Sequence, residues 1–435
     1  MKFSKQLIAC AVAAGLAAPM SAFATNGYFS HGYSAKSKAL AGGGSALPQD
    51  AMAAADNPAG MVKVGERMDL GLSIFSPSDR GYKVSGGFSG PPAFSLELGD
   101  FKSDNDFFLI PHFAYNWMLN ADSSIGLTIY GNGGMNTEYN TSKYTIAAGG
   151  PCTEPGTYYC GTAGVNLEQL FTNVSYSRKI NDKNSWGVSA ILAYQRFKAT
   201  GLGTFGLQGF SSDPSNLTNN GTDTSTGFGA KIGWLGEISP GLTLAASYQT
   251  KMSMSEFDKY KGLFAEQGDF DIPATWTLGL AWKIASTGTL TFDVQGIQYS
   301  DVKSIANPLL PNLVSAPGNL GTDNGAGFGW EDIVVYKLGY QWSTNPDWTW
   351  RVGVSTGDQP IPNSEVLFNI LAPGVMETHV TGGFTYNIGS NNEFTMAAMY
   401  APESKVSGTN PLDPAQQIEL YMSQWELTAS YAWKF

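Results

Sequence analysis

From Trp425 to Phe435, apolar and polar side chains alternate with a period of two. Trp425, Leu427, Ala429, Tyr431, Trp433 and Phe435 share one parity; Glu426, Thr428, Ser430 and Lys434 share the other with Ala432. Successive side chains of a β-strand leave opposite faces, so this segment has one oily and one polar face. The pattern returns elsewhere. Leu278, Leu280 and Trp282 alternate with Thr277, Gly279, Ala281 and Lys283; Val334, Tyr336, Leu338, Tyr340 and Trp342 alternate with Lys337, Gly339 and Gln341. Val380, Phe384, Tyr386 and Ile388 alternate with Thr381, Gly383, Thr385 and Asn387. Aromatic residues gather near segment ends, as the two interfaces of a membrane require.

Along the whole chain the alternation predicts about fourteen strands, over residues 66–76, 107–119, 123–133, 168–180, 185–200, 226–238, 242–254, 271–285, 288–302, 331–344, 347–357, 376–388, 392–402 and 422–435. The links between them alternate strictly. Short ones read "LNAD", "NDKN", "SPG", "STG", "STNP" and "GSNN"; long ones cover about 77–106, 134–167, 201–225, 255–270, 303–330, 358–375 and 403–421. Short turns at one end and long loops at the other are the plan of an outer-membrane barrel. The predicted fold is therefore all-β: a transmembrane antiparallel β-barrel of about 14 strands. Its oily face meets lipid and its polar face lines the lumen. Closure removes the strand edges whose backbone groups lipid cannot satisfy. Both termini fall on the short-turn side, predicted to be periplasmic.

Composition narrows the alternatives. Charged residues are 14% of the chain and glycine occupies 52 of 435 positions. Average soluble domains carry roughly 25% charge and roughly 7% Gly, so a cytosolic enzyme is a poor match. With 11 Trp, 20 Tyr and 24 Phe the chain is not disordered. After residue 24 no run approaches the roughly 18 apolar residues of a spanning helix. Basic residues number 25 against 36 acidic, which argues against nucleic acid and against basic-patch docking on anionic lipid. His31, His112 and His379 fall in separate segments, with no metal-ligand spacing. No enzyme activity, metal or cofactor is expected. Cys152 and Cys160, in "PCTEPGTYYCG", read as a local disulfide formed in an oxidising compartment.

Residues 1–24 read as a signal peptide. Lys2 and Lys5 precede an apolar stretch from Leu7 to Ala18, and Ala22-Phe23-Ala24 offers a small-x-small cleavage site. Residues 25–65 lack the alternation. They are rich in Ala and Gly, yet they carry Tyr28, Phe29, Tyr33, Leu40, Leu47, Met52 and Met61. Small residues interspersed with apolar ones suit a segment packed inside a wide lumen. A plug at 25–65 and a barrel at 66–435 are the predicted division.

Residues 25–61, "TNGYFSHGYSAKSKALAGGGSALPQDAMAAADNPAGM", resemble the N-terminal hatch of the FadL-type outer-membrane transporters, which take up long-chain fatty acids or aromatic hydrocarbons. The resemblance continues through "DIPATWTLGLAWK", through residues 330–362 and into the final strand. It implies a fourteen-stranded barrel whose hatch closes with Asn57, Pro58 and Ala59. It also implies passive uptake of hydrophobic small molecules. Ligand would be captured by extracellular loops, passed to a site near the hatch, and released sideways at an inward kink of the third strand. "TIYGNGGMNTEY" resembles that strand and puts the kink at Asn132, Gly133 and Gly134. The clustered glycines suit a bulge, or simply a strand end running into its loop.

Family members that bind fatty acids hold the carboxylate with basic residues. Arg196, Lys198 and Lys303 are the possible contacts here. Arg196 and Lys198 share parity with lipid-facing Val188, Ala190 and Leu192, which equally suits snorkelling toward lipopolysaccharide phosphates. Ala306 stands where a later basic residue would fall, so fatty acid and neutral hydrocarbon are both open as cargo. In "GLGTFGLQGFSSDPSNL", Phe205, Leu207, Phe210 and Leu217 either form a capture groove or pack loop against loop. The expected partners are an apolar ligand, outer-membrane lipid and lipopolysaccharide. The terminal aromatic Phe435 adds the barrel assembly machinery, and a plugged monomer suffices. A water-filled diffusion porin is the alternative function, as is an adhesin or phage receptor carried by the loops.

Overall fold

A computed structural model of the chain describes residues 26–89, 94–140, 142–144, 152–284, 286, 288–314 and 319–435. The signal-peptide reading of residues 1–24 lies outside the described residues. The strands are β1 (Arg67–Gly86), β2 (Gly99–Lys102), β3 (Phe108–Asn120), β4 (Ser123–Tyr139), β5 (Ala163–Lys179), β6 (Asn184–Thr200), β7 (Asp223–Ser239) and β8 (Leu242–Gln249). They continue with β9 (Ser253–Met254), β10 (Thr275–Lys283), β11 (Gly288–Ile297), β12 (Ile333–Ser343), β13 (Trp348–Gly357), β14 (Thr378–Ile388), β15 (Asn392–Thr409) and β16 (Gln416–Lys434).

Fourteen of these form the wall, each antiparallel to the next in chain order. β16 returns to β1, with Ile74 opposite Leu427 and Arg67 opposite Lys434. The ring is closed. β2 and β9 only add short edges to β1 and β7. The Phe435 N–H donates to the Glu66 carbonyl at 3.0 Å, so the two ends of the wall meet at the end that carries the short turns. Among the described residues no helix is long and apolar enough to cross a membrane.

Burial along a wall strand is the reverse of that in a soluble protein. On β6, Trp186, Val188 and Leu192 are exposed, while Ser185, Ser189 and Gln195 are buried. Leu278, Phe292, Leu338, Val354 and Val380 carry the same exposed band around the ring. Such a continuous apolar belt is stable only against hydrocarbon.

Six strands run farther than the alternation indicated, into stretches assigned above to long loops, β7 only slightly, from Asp223. β1 continues to Gly86, β4 to Tyr139 and β15 to Thr409; β5 begins at Ala163 and β16 at Gln416. Two effects hid these extensions. Bulges at Pro77–Ser78, Asn132 and Pro402–Glu403 shift the phase of β1, β4 and β15 by one residue. Beyond them the outward positions turn polar: Glu419 pairs with Lys83 at 3.8 Å and Lys405 at 3.3 Å. The inward positions turn apolar, with Tyr82, Val84, Val406, Ile418 and Leu420 buried. Water has replaced lipid outside, so the pattern inverts. The remaining corrections are short: β8 stops at Gln249, β10 starts at Thr275 and β11 stops at Ile297.

Leu338 lies mid-wall, opposite Phe292 and Val354, and is 44% exposed. Leu338→Arg should lower the unfolding free energy in phospholipid vesicles by about 2–4 kcal/mol. A urea titration measures it, and an unchanged midpoint would mean that this face does not meet hydrocarbon.

Candidate functional site: the hatch and an opening in the wall

Residues 26–64 lie against the inward faces of the wall strands, and charge holds them there. A short helix, Ala35–Ala39, begins at a capping box between Ser34 and Ser37. It presents Lys36 to Glu393 of β15 and Lys38 to Glu426 of β16. Arg67 joins Glu393 and holds Asp69 at 2.7 Å. Across the lumen, Asp293 accepts from the backbone N–H groups of Gly44 (2.7 Å) and Ser45 (3.1 Å). Lys337 donates to the carbonyls of His31 (3.2 Å) and Gly42 (3.1 Å), and Lys231 to that of Ala55. All of these ionised groups are buried. Each would be costly alone; paired, they bind the segment to four sides of the ring.

Asn57, Pro58 and Ala59 sit at the near end of the segment. The Asn57 side chain accepts from the Ala59 N–H at 3.0 Å, capping the 3-10 turn Pro58–Lys63, and donates to the Trp234 carbonyl at 3.0 Å. The Ala59 carbonyl accepts from Ser185 (2.8 Å) and Ser177 (3.1 Å). Wall glycines make the approach possible. A Cβ at Gly187 would collide with the Pro58 backbone, and one at Gly233 with the Asn57 amide. Neither glycine was singled out from the sequence.

Asn132 is the extra residue of the β4 bulge, between the pairs Gly131–Leu170 and Gly133–Gln169. Here the wall parts. The ladder from β4 to β3 stops at Tyr130–His112, beside Pro111, although both strands run on. In place of β3, β4 pairs with the hatch: Gly134 N–H donates to the Tyr28 carbonyl and Ser30 N–H to the Asn132 carbonyl, both at 2.9 Å. A Cβ at Gly133 would collide with that Tyr28 carbonyl. Asn132 also accepts from the Tyr33 hydroxyl at 3.1 Å and donates to Gln169 at 2.9 Å. Higher up, Asp104 N–H donates to the Glu138 carbonyl at 2.9 Å. A break in strand pairing between β1 and β4, termed the side opening, is thus bounded below by the top of β3 and above by residues 99–105.

Residues 11–433 match the model of the outer membrane protein transport protein family (OMPP1/FadL/TodX). The chain belongs to this family. Solved structures of similar shape include the toluene transporter TodX of Pseudomonas putida, at 21% identity over 93% of this chain and 99% of that one, with a TM-score of 0.68. A FadL homologue from Pseudomonas aeruginosa matches at 17% identity over 94% and 100%, TM-score 0.65. The toluene transporter TbuX of Ralstonia pickettii matches at 19% over 93% and 99%, TM-score 0.61. At such identities these likenesses establish the fold. No curated protein matches the chain. Family membership makes the chain an outer-membrane transport protein.

In this FadL/TodX-family chain an unbroken series of rings joins the loops to the opening. Phe205 touches Phe94 (centroids 4.8 Å apart), Tyr158 (5.3 Å) and Phe368 (5.8 Å). Phe368 stacks on Phe328 at 5.2 Å, which meets Trp330 at 6.3 Å. Trp330 meets Tyr299 at 5.0 Å and Tyr28 at 5.9 Å, and Tyr28 stacks on Phe29, the neighbour of Gly133. In the loop next to Phe270, whose ring lies 6.3 Å from that of Tyr28, burial first and the Asp271 charge second push the Asp269 carboxyl up to about 7.

The other residues singled out from the sequence are scattered. Phe205 and Leu217 are buried among the loops, Phe210 is half-buried, and Leu207 alone of the four is exposed. The apolar patch expected on the loop surface is therefore small, because the loops consume most of it in packing against one another. Arg196 and Lys198 point away from the lumen, Arg196 toward Glu168 at 3.2 Å, and Lys303 is exposed and paired with Glu266 at 2.9 Å. None of the three reaches the column. Cys152 and Cys160 are bonded, with Cα atoms 4.4 Å apart. Their loop carries Tyr158 over Phe205.

Glu426→Gln removes the partner of Lys38 and leaves its ammonium buried. The unfolding free energy should fall by about 3–5 kcal/mol, and protease should cut the 26–64 segment in the folded barrel. Unchanged resistance and stability would show that this pair does not hold the hatch.

Proposed function

We propose that this chain takes up hydrophobic small molecules across the outer membrane, passively, from the loops to the side opening of the wall. The observation that carries the reading is the aromatic column that ends at the Asn132 bulge, where the hatch occupies the place of the missing strand pairing. The side with the long loops is read as extracellular and the side with the termini as periplasmic. Two of the neighbouring structures are described as toluene transporters, which agrees with an apolar cargo.

The magnitudes allow it. Parting the hatch from the bulge gives up two backbone hydrogen bonds, about 1–3 kcal/mol together. A ligand burying roughly 150 Å² of apolar surface gains about 4 kcal/mol. Cargo arriving along the column would displace residues 28–30, its own apolar contacts taking the place of those lost by the Tyr28 and Phe29 rings, and leave sideways into lipid with no energy source beyond partitioning. Asn57, Pro58 and Ala59 would keep the far end of the hatch in place meanwhile. Phe205, Phe210 and Leu217 would form the column's entrance, and Leu207 its outermost contact. A general porin fits less well, because the hatch and its ion pairs fill the lumen.

Deleting Asn132 restores the register of β4 and should let it zip onto β3, sealing the opening. Uptake of radiolabelled toluene or fatty acid by intact cells should then fall to background while heat-modifiable gel migration, the sign of a folded barrel, persists. Unimpaired uptake by the folded deletion variant would refute sideways exit.

A further inference from the structure

Arg80 borders the side opening. The bulge at Pro77–Ser78 turns this residue inward, and it is 5% exposed. One guanidinium nitrogen donates to the Ser103 hydroxyl at 3.1 Å and to the Asn105 carbonyl at 2.5 Å; Nε has no partner. The carboxylate that pulls on it, Asp106, is exposed and forms no ion pair with it. The other buried cations are better compensated. Lys36 and Arg67 share Glu393, and Lys38 meets Glu426; Arg351, whose Nε is likewise unpartnered, lies near Asp50 and Glu393, while Lys231 and Lys337 donate to hatch carbonyls with Asp56 and Asp293 nearby. A buried guanidinium without a counter-charge is expensive to keep. Among these cations Arg80 has no carboxylate acting on it except the exposed Asp106.

Beside it lies a cavity of about 30 Å³, lined by Arg80 and by Phe75, Met135, Trp330 and Met422, with Gly27 of the hatch as one wall. That is room for about two water-sized atoms. A guanidinium fork matches the two oxygens of a carboxylate, and apolar side chains surround it.

We propose that the side opening contains a carboxylate-binding site, where Arg80 receives the anionic head of cargo whose apolar body lies against Phe75, Met135, Trp330 and Met422. The proposal rests on the uptake reading above and narrows its cargo to amphipathic monocarboxylates. It places the selecting charge at the exit, on the inward face of β1, away from Arg196, Lys198 and Lys303. The body of the ligand exceeds this cavity, so it extends into the space that Gly27 and Tyr28 would vacate.

The test uses the full chain in phosphatidylcholine nanodiscs and two probes of equal length, decanoate and methyl decanoate. Unmodified protein should bind decanoate about tenfold more tightly than the ester, the scale of one charged hydrogen bond. Arg80→Gln should bring that ratio close to one, and Arg80→Lys, which keeps the charge and loses the fork, should leave part of it. Equal binding of the two probes by unmodified protein overturns the carboxylate site and leaves hydrophobic uptake standing. So does a preference that survives Arg80→Gln. If Arg80→Gln does not fold because residues 99–105 lose their anchor, Arg80→Lys decides: an undiminished preference overturns the site. Failure to bind either probe would remove the uptake reading together with this one.

Discussion

Charge inside a ring of strands is the constraint from which the rest follows. A wall that shows Leu and Val to lipid turns its polar positions inward, and many of the inward residues are charged, among them Arg67, Asp69, Lys231, Asp293, Lys337, Arg351, Glu393 and Glu426. An empty lumen would leave them to water. Here the amino-terminal segment answers them with Lys36, Lys38 and the N–H groups of Gly44 and Ser45. The plug is therefore specified electrostatically by the wall that encloses it. Its small residues serve the same end, since Ala and Gly let backbone groups come within bonding distance of wall side chains.

Above that polar layer the character of the interior changes. The hydrogen-bonded register breaks at Asn132, the hatch substitutes for the missing neighbour, and the surrounding contacts become ring against ring. One molecule thus holds a polar floor and a packed aromatic column above it, with the break in strand pairing at their junction. The floor is made of desolvated ion pairs, which an apolar group could not replace.

The wall was legible because a period of two survives in every strand that faces lipid on one side, as in Trp425–Phe435. The count of fourteen and the sorting of short and long links came from that period alone. It failed where its physical cause ended. Tyr82, Val84, Ile418 and Leu420 lie in strands above the lipid, where outside and inside exchange polarity and a bulge shifts the phase. Arg80 was missed for the same reason, standing in a stretch assigned to a loop. The column escaped notice because Tyr28, Phe205, Trp330 and Phe368 belong to distant segments that no local pattern connects. Glycines 187 and 233 looked like ordinary strand glycines; only the docked Asn57 and Pro58 explain them. The bulge and the hatch motif were recognised through family resemblance, since three glycines within four residues are also what a fraying strand end looks like.

The pairing of β16 with β1 has a consequence for how such a molecule can be damaged. A solenoid can shed terminal repeats one at a time, because each leans only on its neighbours. A circle has no outermost member. Breaking any seam bares two rows of peptide groups to a solvent that offers them nothing, so injury at one point is felt around the whole circumference. Tolerance of change is accordingly confined to the rim, and the fourteen staves stand or fall together.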